Sequence, residues 1–386
     1  MLKVYEVFLT KKGRRKWILV ILGLLFILFS PIKIYPEEFK RTLPGRTFSF
    51  PQDHFSHPEF KTEWWYYSGH LQTDKKPFGY QLTFFRTGLR GETKSQGSKW
   101  AIQNLYFAHL ALTDELKKRF EYREKISRGS LGEAGAFSYK KDGEPFRVWI
   151  EDWSAEGQGP GMQNHFLKAG DKDFGMELLL TPEKSPIVHG LNGVSQKAKE
   201  EGFGSHYYSI SRLKAEGKIF LRVKEFPVQG ISWMDHEFGS SQLRDDQVGW
   251  DWFSLQLDNR MELMFYQIRN QNEKIDPYSS GTMIFPDGTH LYLPSEAFQI
   301  EVREKWRSKK SGAVYPSKWR IRVPHSQIDL LLTPTVKDQE LITKESTRVT
   351  YWEGSVKIEG NDQVNPIKGL GHVELTGYAK PLSKGI

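Results

Sequence analysis

The 386-residue chain contains no cysteine. That excludes disulfides, thiolate metal centres, a cysteine nucleophile and lipid attachment through an N-terminal cysteine. Stability has to come from the packed interior, which a chain of this length can supply. Phosphate chemistry lacks its usual loop: GQGPGMQ at 157–163 has no following Lys-Ser/Thr and reads as a turn. There is no G-x-S-x-G elbow and no HExxH. A nucleic-acid surface is also missing, despite a net charge of +8. Residues 1–16 hold six basic side chains against Glu6, which leaves only +3 over the other 370 residues. Lys305, Arg307, Lys309 and Lys310 read as a solvated loop.

What is present begins with KKGRRK running into WILVILGLLFILF, 17–29. Thirteen residues are short for a comfortable membrane span and suit a signal core or an anchor. The basic block before it predicts a cytoplasmic N-terminus and an exported body. No A-x-A cleavage pattern follows, which favours an uncleaved anchor over 1–34, with 11–31 as the exported-through or anchoring segment. A bacterial cell envelope, periplasmic side, is the expected location. Residues 35–47 form a polar connector with Pro36 and Pro44.

From about residue 60, short runs rich in Val, Ile, Tyr, Phe and Trp alternate with turn pieces such as KDGEP, LDNR, PDGT and EGND. This pattern predicts an all-β chain, with at most two short helices near 113–125 and 192–201. An internal repeat organises it. WWYYSGHL (64–71) aligns without gaps on WDWFSLQL (250–257), and each is followed by a turn and a strand ending in Arg86 or Arg269. Two related β-domains follow, at 48–225 and 226–386, with the boundary near RVKEFPVQG (222–230).

On a strand, alternate side chains take opposite faces. Trp64, Tyr66, Ser68 and His70 therefore share one face, reproduced by Trp250, Trp252, Ser254 and Gln256. The other face, Trp65, Tyr67 and Leu71, is a packing face. A half-polar face repeated in both domains suggests one cavity or seam built twice. The second dense motif is ISWMDHEFG, 231–239. There Asp235, Glu237 and Trp233 point one way and His236 the other. Two carboxylates beside an indole form an arrangement that raises a carboxyl pKa, and a neutral carboxylic acid can donate a proton. The plainer alternative is a turn-capping Asp235 and a salt-bridged Glu237. Asp53, His54, His57, Glu59, Glu63 and His70 are spaced loosely for a metal, and no metal or other cofactor is expected.

The motifs DHFSHPEFKTEWWYYSGHL (53–71), SWMDHEFGSSQLRDDQVGWDWFSLQLDN (232–259) and GHVELTGYAKPL (371–382) resemble those of the AttH-like, lipocalin-like proteins that include carotenoid 1,2-hydratase (hydroxyneurosporene synthase). The resemblance covers about 48–382. It implies two tandem lipocalin-like (calycin) antiparallel β-barrels, and some members accompany ABC-type export systems. In the hydratase branch it implies Asp235 as proton donor, Glu237 or His236 orienting water, and Trp64, Tyr66, Trp233, Trp250 and Trp252 lining the site. Such hydration needs no cofactor, only a proton donor, aromatic walls for a carbocation and a placed water.

Two functions stand side by side at this level. One is an exported, membrane-associated protein that binds a long apolar or amphipathic ligand, a lipid or isoprenoid, on Trp64, Tyr66, Ser68, His70, Trp233, Trp250, Trp252 and Gln256. The other is a cofactor-independent hydro-lyase acting on a carotenoid or terpenoid C=C bond. A third, carbohydrate binding or hydrolysis, draws on the same rings and on Asp235 and Glu237, roughly 7 Å apart on one strand.

Overall fold

Aromatic and β-branched residues in alternation build strands almost throughout the computed structural model, which describes residues 39–89, 102–140, 145–222, 224–241, 243–272 and 274–382. The expected signal or anchor over 1–34 lies outside these residues. The first sheet begins with β1 (Thr62–Gln72), β2 (Pro77–Gly88), β3 (Asn104–Asp114) and β4 (Arg119–Ser127). It continues through β5 (Ala134–Ala136), β6 (Arg147–Ile150), β7 (Trp153–Gln158), β8 (Asn164–Gly170) and β9 (Phe174–Pro182). Two short strands, β10 (Ile187–Val188) and β11 (Ser195–Gln196), precede the long hairpin β12 (Gly204–Leu221) and β13 (Lys224–Ser241). The second sheet comprises β14 (Gln247–Leu257), β15 (Glu262–Asn270), β16 (Ser280–Ile284), β17 (His290–Pro294) and β18 (Gln299–Arg307). It is completed by β19 (Val314–Val323), β20 (Ile328–Pro334), β21 (Glu340–Ile342), β22 (Thr350–Asp362) and β23 (Asn365–Leu375).

The two sheets share one topology. The first runs β4-β3-β2-β1-β13-β12-β9-β8-β7-β6-β5, and the second runs β17-β16-β15-β14-β23-β22-β20-β19-β18. In each, the opening strand of the repeat pairs antiparallel with the last strand of its sheet, β1 with β13 and β14 with β23. This sets the first and last strands of each domain side by side within its sheet. The sheets bend into a nearly closed barrel and a half-barrel, consistent with two lipocalin-like domains. The sheets divide after Ser241, so the boundary expected near 222–230 moves about fifteen residues later. RVKEFPVQG carries charge and proline like a linker, but it is the turn and opening of the β12–β13 hairpin, with Phe220 opposite Glu225.

Among the described residues there is no α-helix. Residues 113–125 form the β3–β4 hairpin instead, where Lys118 takes φ 52° and Asp114 Oδ1 accepts the Lys117 N–H at 3.0 Å. Residues 192–201 fail as a helix because Asn192 and Gly193 both adopt positive φ.

Period-two alternation sorts the repeat as the sequence suggests. Trp65, Tyr67 and Leu71 enter the first barrel's core with Tyr80, Leu82 and Phe84. Phe253, Leu255 and Leu257 enter the second with Trp319 and Trp352. Both barrel interiors are filled by side chains. Tyr66, Tyr207, Trp233, Trp252, Met264 and Tyr266 form a third cluster between the sheets, with Trp64 and Trp250 against it.

Polar clamps hold that seam. The Gln256 amide donates to Ser211 O at 2.8 Å and Ser232 O at 2.9 Å, across the sheets. His70 Nε2 donates to Gly371 O at 2.9 Å. Glu262 of β15 is fully buried and takes Lys184 Nζ at 2.6 Å and Arg212 Nε at 2.5 Å, both from the first domain. Removing one partner of such a group strands the remaining charges away from water. Glu262→Gln should therefore destabilise the protein by about 3–5 kcal/mol. Urea denaturation measures this; a loss below about 1 kcal/mol, typical of an exposed pair, would show that the triad does not clamp the domains.

Candidate active site

The seam encloses a cavity of about 240 Å³. Strand alternation supplies its walls: Trp64 and Tyr66 from β1, Phe85 from β2, Tyr207 from β12, and Asp235 with Glu237 from β13. The second domain adds Trp250 and Trp252 from β14, Tyr266 from β15, Tyr351 and Glu353 from β22, and Glu374 from β23. Lys197 enters from the segment between β11 and β12. Tyr66 and Trp252 meet edge to face, with centroids 5.1 Å apart.

Asp235 sits at the centre of a donor network. Its Oδ1 accepts the Trp233 Nε1–H at 2.5 Å and the Ser209 hydroxyl, and its Oδ2 accepts the Tyr207 hydroxyl at 2.8 Å. Trp252 Nε1 in turn donates to Tyr207 OH at 3.1 Å. Because Ser209 donates to Asp235, His189 Nε2–H must donate to Ser209, at 2.6 Å, and its Nδ1 accepts from Thr282 at 2.8 Å. Burial keeps that imidazole neutral, its pKa pulled down to about 3. Burial pushes the Asp235 carboxyl up to about 7, outweighing its three hydrogen bonds, and nearby Glu237 adds to the rise. With Oδ1 filled by two donors, the acid proton belongs on Oδ2.

Glu237 is ion-paired. Lys197 Nζ lies 3.1 Å from its Oε1, and the Ser205 hydroxyl donates to the same oxygen. Burial works against the Lys197 charge, but Glu237 and the ring of Tyr266, 4.2 Å away, hold the ammonium in its charged form.

The opposite wall carries a second acidic station. Glu353 and Glu374 face each other across β22 and β23. Burial raises both, Glu353 well above the carboxylate range with Glu374 adding to it, and Glu374 to about 7. Tyr66 OH donates to Glu353 at 2.6 Å, and Trp250 Nε1 to Glu374 at 3.3 Å. Strand register makes this wall the counterpart of the first: Asp235 stands opposite Tyr66 of β1, and Glu374 opposite Trp252 of β14, the residues that align in the repeat. Tyr207 of β12 and Tyr351 of β22 each stand two residues before the partners of these acids, Ser209 and Glu353.

Of the residues singled out from the sequence, Asp235, Glu237, Trp64, Tyr66, Trp250 and Trp252 line the cavity. Trp233 touches it through Asp235. Ser68, His70 and Gln256 lie deeper in the seam, where His70 and Gln256 tie the sheets together. His236, the expected second candidate for orienting water, points the other way because it alternates with Asp235. Its ring stacks on Trp65 and its Nε2 lies 3.0 Å from Glu63. Glu63 also binds His57 at 2.9 Å and Arg86 at 3.0 Å. His57, Glu63 and His236 are close enough to hold a metal. The Arg86 guanidinium already supplies their positive charge, so this is a hydrogen-bonded core network. Sequence reasoning missed Glu353, Glu374, Lys197 and Tyr207. Glu374 had a signal: placing HVEL (372–375) over WMDH (233–236) superimposes it on Asp235.

A family model described as AttH-like matches residues 41–378. The chain belongs to the AttH-like family. A crystal structure of an AttH protein from Nitrosomonas europaea is 31% identical, with 88% of this chain and 100% of that one covered and a TM-score of 0.78. Kievitone hydratase from Nectria haematococca shares the fold at 13% identity, covering 89% of this chain and 98% of its own, with a TM-score of 0.65. CghA, in complex with Sch210972, does so at 10% identity, 91% and 98% coverage and a TM-score of 0.57. No curated protein matches the chain. This AttH-like protein thus has two lipocalin-like β-domains, with its cavity between them.

The elevated Asp235 pKa has a consequence for stability. Between 3.8 and about 7 the folded protein keeps this proton while the unfolded chain has released it. The unfolded state binds fewer protons in that window, so stability falls as pH rises through it. Asp235→Asn removes this term and should gain about 4 kcal/mol relative to wild type from the bottom of the window to the top. Denaturant titrations at both ends test it; parallel pH profiles for the two proteins would show that Asp235 is ionised when folded.

Proposed function

We propose that this AttH-like protein is a cofactor-independent hydro-lyase that adds water across a C=C bond of an apolar, isoprenoid-type substrate. One observation carries the reading: Asp235, buried with its pKa lifted to about 7, lines a cavity walled by aromatic rings. Proton transfer from Oδ2 to the less substituted alkene carbon leaves a tertiary cation. The faces of Trp64, Trp250, Trp252 and Tyr66 stabilise that cation without reacting with it. Water then forms the C–O bond from the second-domain side, and its proton goes to Glu374, poised near neutrality for that task. The cycle closes when Glu374 loses one proton and Asp235 regains one, so none is consumed.

The cavity suits the branched end of an isoprenoid chain, with the tail leaving past Leu105 and half-exposed Leu89. Kievitone hydratase, similar in fold, is a hydratase by name. The basic and apolar residues at 11–31 support placing this chemistry in a cell envelope, where apolar substrates collect. An ABC-type transporter as partner rests on family resemblance alone.

The test incubates the full chain with a prenylated phenol and with an acyclic carotenoid and follows gain of one water by mass spectrometry. Asp235→Asn should lower the hydration rate by about 10²–10⁴-fold while substrate still quenches tryptophan fluorescence. Hydration that survives the substitution removes Asp235 from the mechanism. Quenching without hydration in either protein leaves a binding protein for the same ligands.

A further inference from the structure

Below Tyr66, away from Asp235, the seam holds titratable groups that proton donation by Asp235 leaves unused. His372 of β23 is buried, and neither ring nitrogen has a hydrogen-bond partner among the described residues. Its Nε2 nevertheless lies 3.3 Å from Glu353 Oε1, close but not aligned for a hydrogen bond. Buried polar atoms are nearly always satisfied, so an unpartnered imidazole beside a carboxyl calls for a functional reason. Next to it stands His70, the ring centroids 6.4 Å apart. The His70 Nε2–H is committed to Gly371 O, which leaves its Nδ1 bare and also unpartnered. That Nδ1 is 4.0 Å from Glu115 Oε1, and Glu115 Oε2 is 3.3 Å from Lys357 Nζ, whose side chain is 60% exposed. A cavity acid and the solvent are thus joined by a file of groups that each accept and release protons.

We propose that Glu353, His372, His70 and Glu115 form a proton path between the second-domain wall of the cavity and solvent. Its use rests on the hydratase reading: Glu353 passes its own proton outward to His372 and is then reprotonated by the adjacent Glu374, which took its proton from the attacking water. Each step moves one proton from an O–H or N–H to a lone pair, and spans beyond hydrogen-bond length are crossed through water. Burial keeps both imidazoles neutral at rest, so they receive a proton only transiently. Behind Asp235 the histidine is different: both nitrogens of His189 are held, by Ser209 and Thr282.

Infrared spectroscopy tests this without any substrate. The protonated Glu353 carboxyl gives a C=O band, identified by its loss in Glu353→Gln, and the band shifts when the full-length protein is moved into D₂O. His372→Phe should slow that shift by about tenfold or more, and Glu115→Gln, at the outer end where folding is least at risk, should slow it too. Backbone amide exchange in the same spectra reports opening of the fold, which would accelerate both signals. Carboxyl exchange as fast as wild type in both variants, with amide exchange unchanged, would overturn the path and show that protons reach Glu353 through the cavity mouth. Slowed exchange in a protein that hydrates no alkene would keep the path and remove the hydratase reading.

Discussion

A strand covered on both faces has to satisfy two environments with a single sequence, and β1 and β14 carry that constraint for the whole molecule. Their odd and even side chains serve different purposes: one set fills a barrel and the other builds the seam. Shifting either strand by one residue would exchange the two sets and turn Ser68 and His70, or Ser254 and Gln256, into a barrel core. Pairing on both sides, β1 between β2 and β13 and β14 between β15 and β23, holds that register. It also places Asp235 beside Tyr66 and Glu374 beside Trp252. The cavity is thus a by-product of these strand pairings, and the repeat supplies its two walls.

The seam is electrostatically unusual for a domain interface. Around the cavity five carboxyl groups, Glu63, Asp235, Glu237, Glu353 and Glu374, face only Lys197 and Arg86, and burial raises the pKa of the three acids that neither cation pairs. Glu237 is matched by Lys197 and Glu63 by Arg86. Further down, Glu262 is matched twice over, by Lys184 and Arg212. The contrast separates two tasks within one interface: complete ion pairs where the sheets must stay together, and retained protons where chemistry needs them.

Much of this was legible in the sequence. WWYYSGHL over WDWFSLQL revealed the duplication, the face shared by Trp64, Tyr66, Trp250 and Trp252, and the all-β class. The parity of WMDHEFG separated Asp235 and Glu237 from His236, although not which side a catalytic role required. The rest was hidden for physical reasons. The domain boundary was obscured because a hairpin turn with proline and charge reads like a linker. Glu353 and Lys197 carry no pattern of their own, since their importance comes from contacts between distant segments. Ser68, His70 and Gln256 share the repeated face but sit further along it, and distance along a strand decides whether a side chain reaches the cavity.

Gly79 has a further meaning in this setting. A side chain there would collide with Ser355, its first carbon only 2.7 Å from the serine Cβ, so β2 and β22 pack with no room for a larger residue at this point. With both lumens filled by core residues, no ligand room can be gained inside a barrel without emptying it. The gap between sheets is then the one adjustable dimension, and the residue at position 79 acts as its spacer. Relatives that accept bulkier molecules would be expected to diverge at this contact and its neighbours before they alter either barrel.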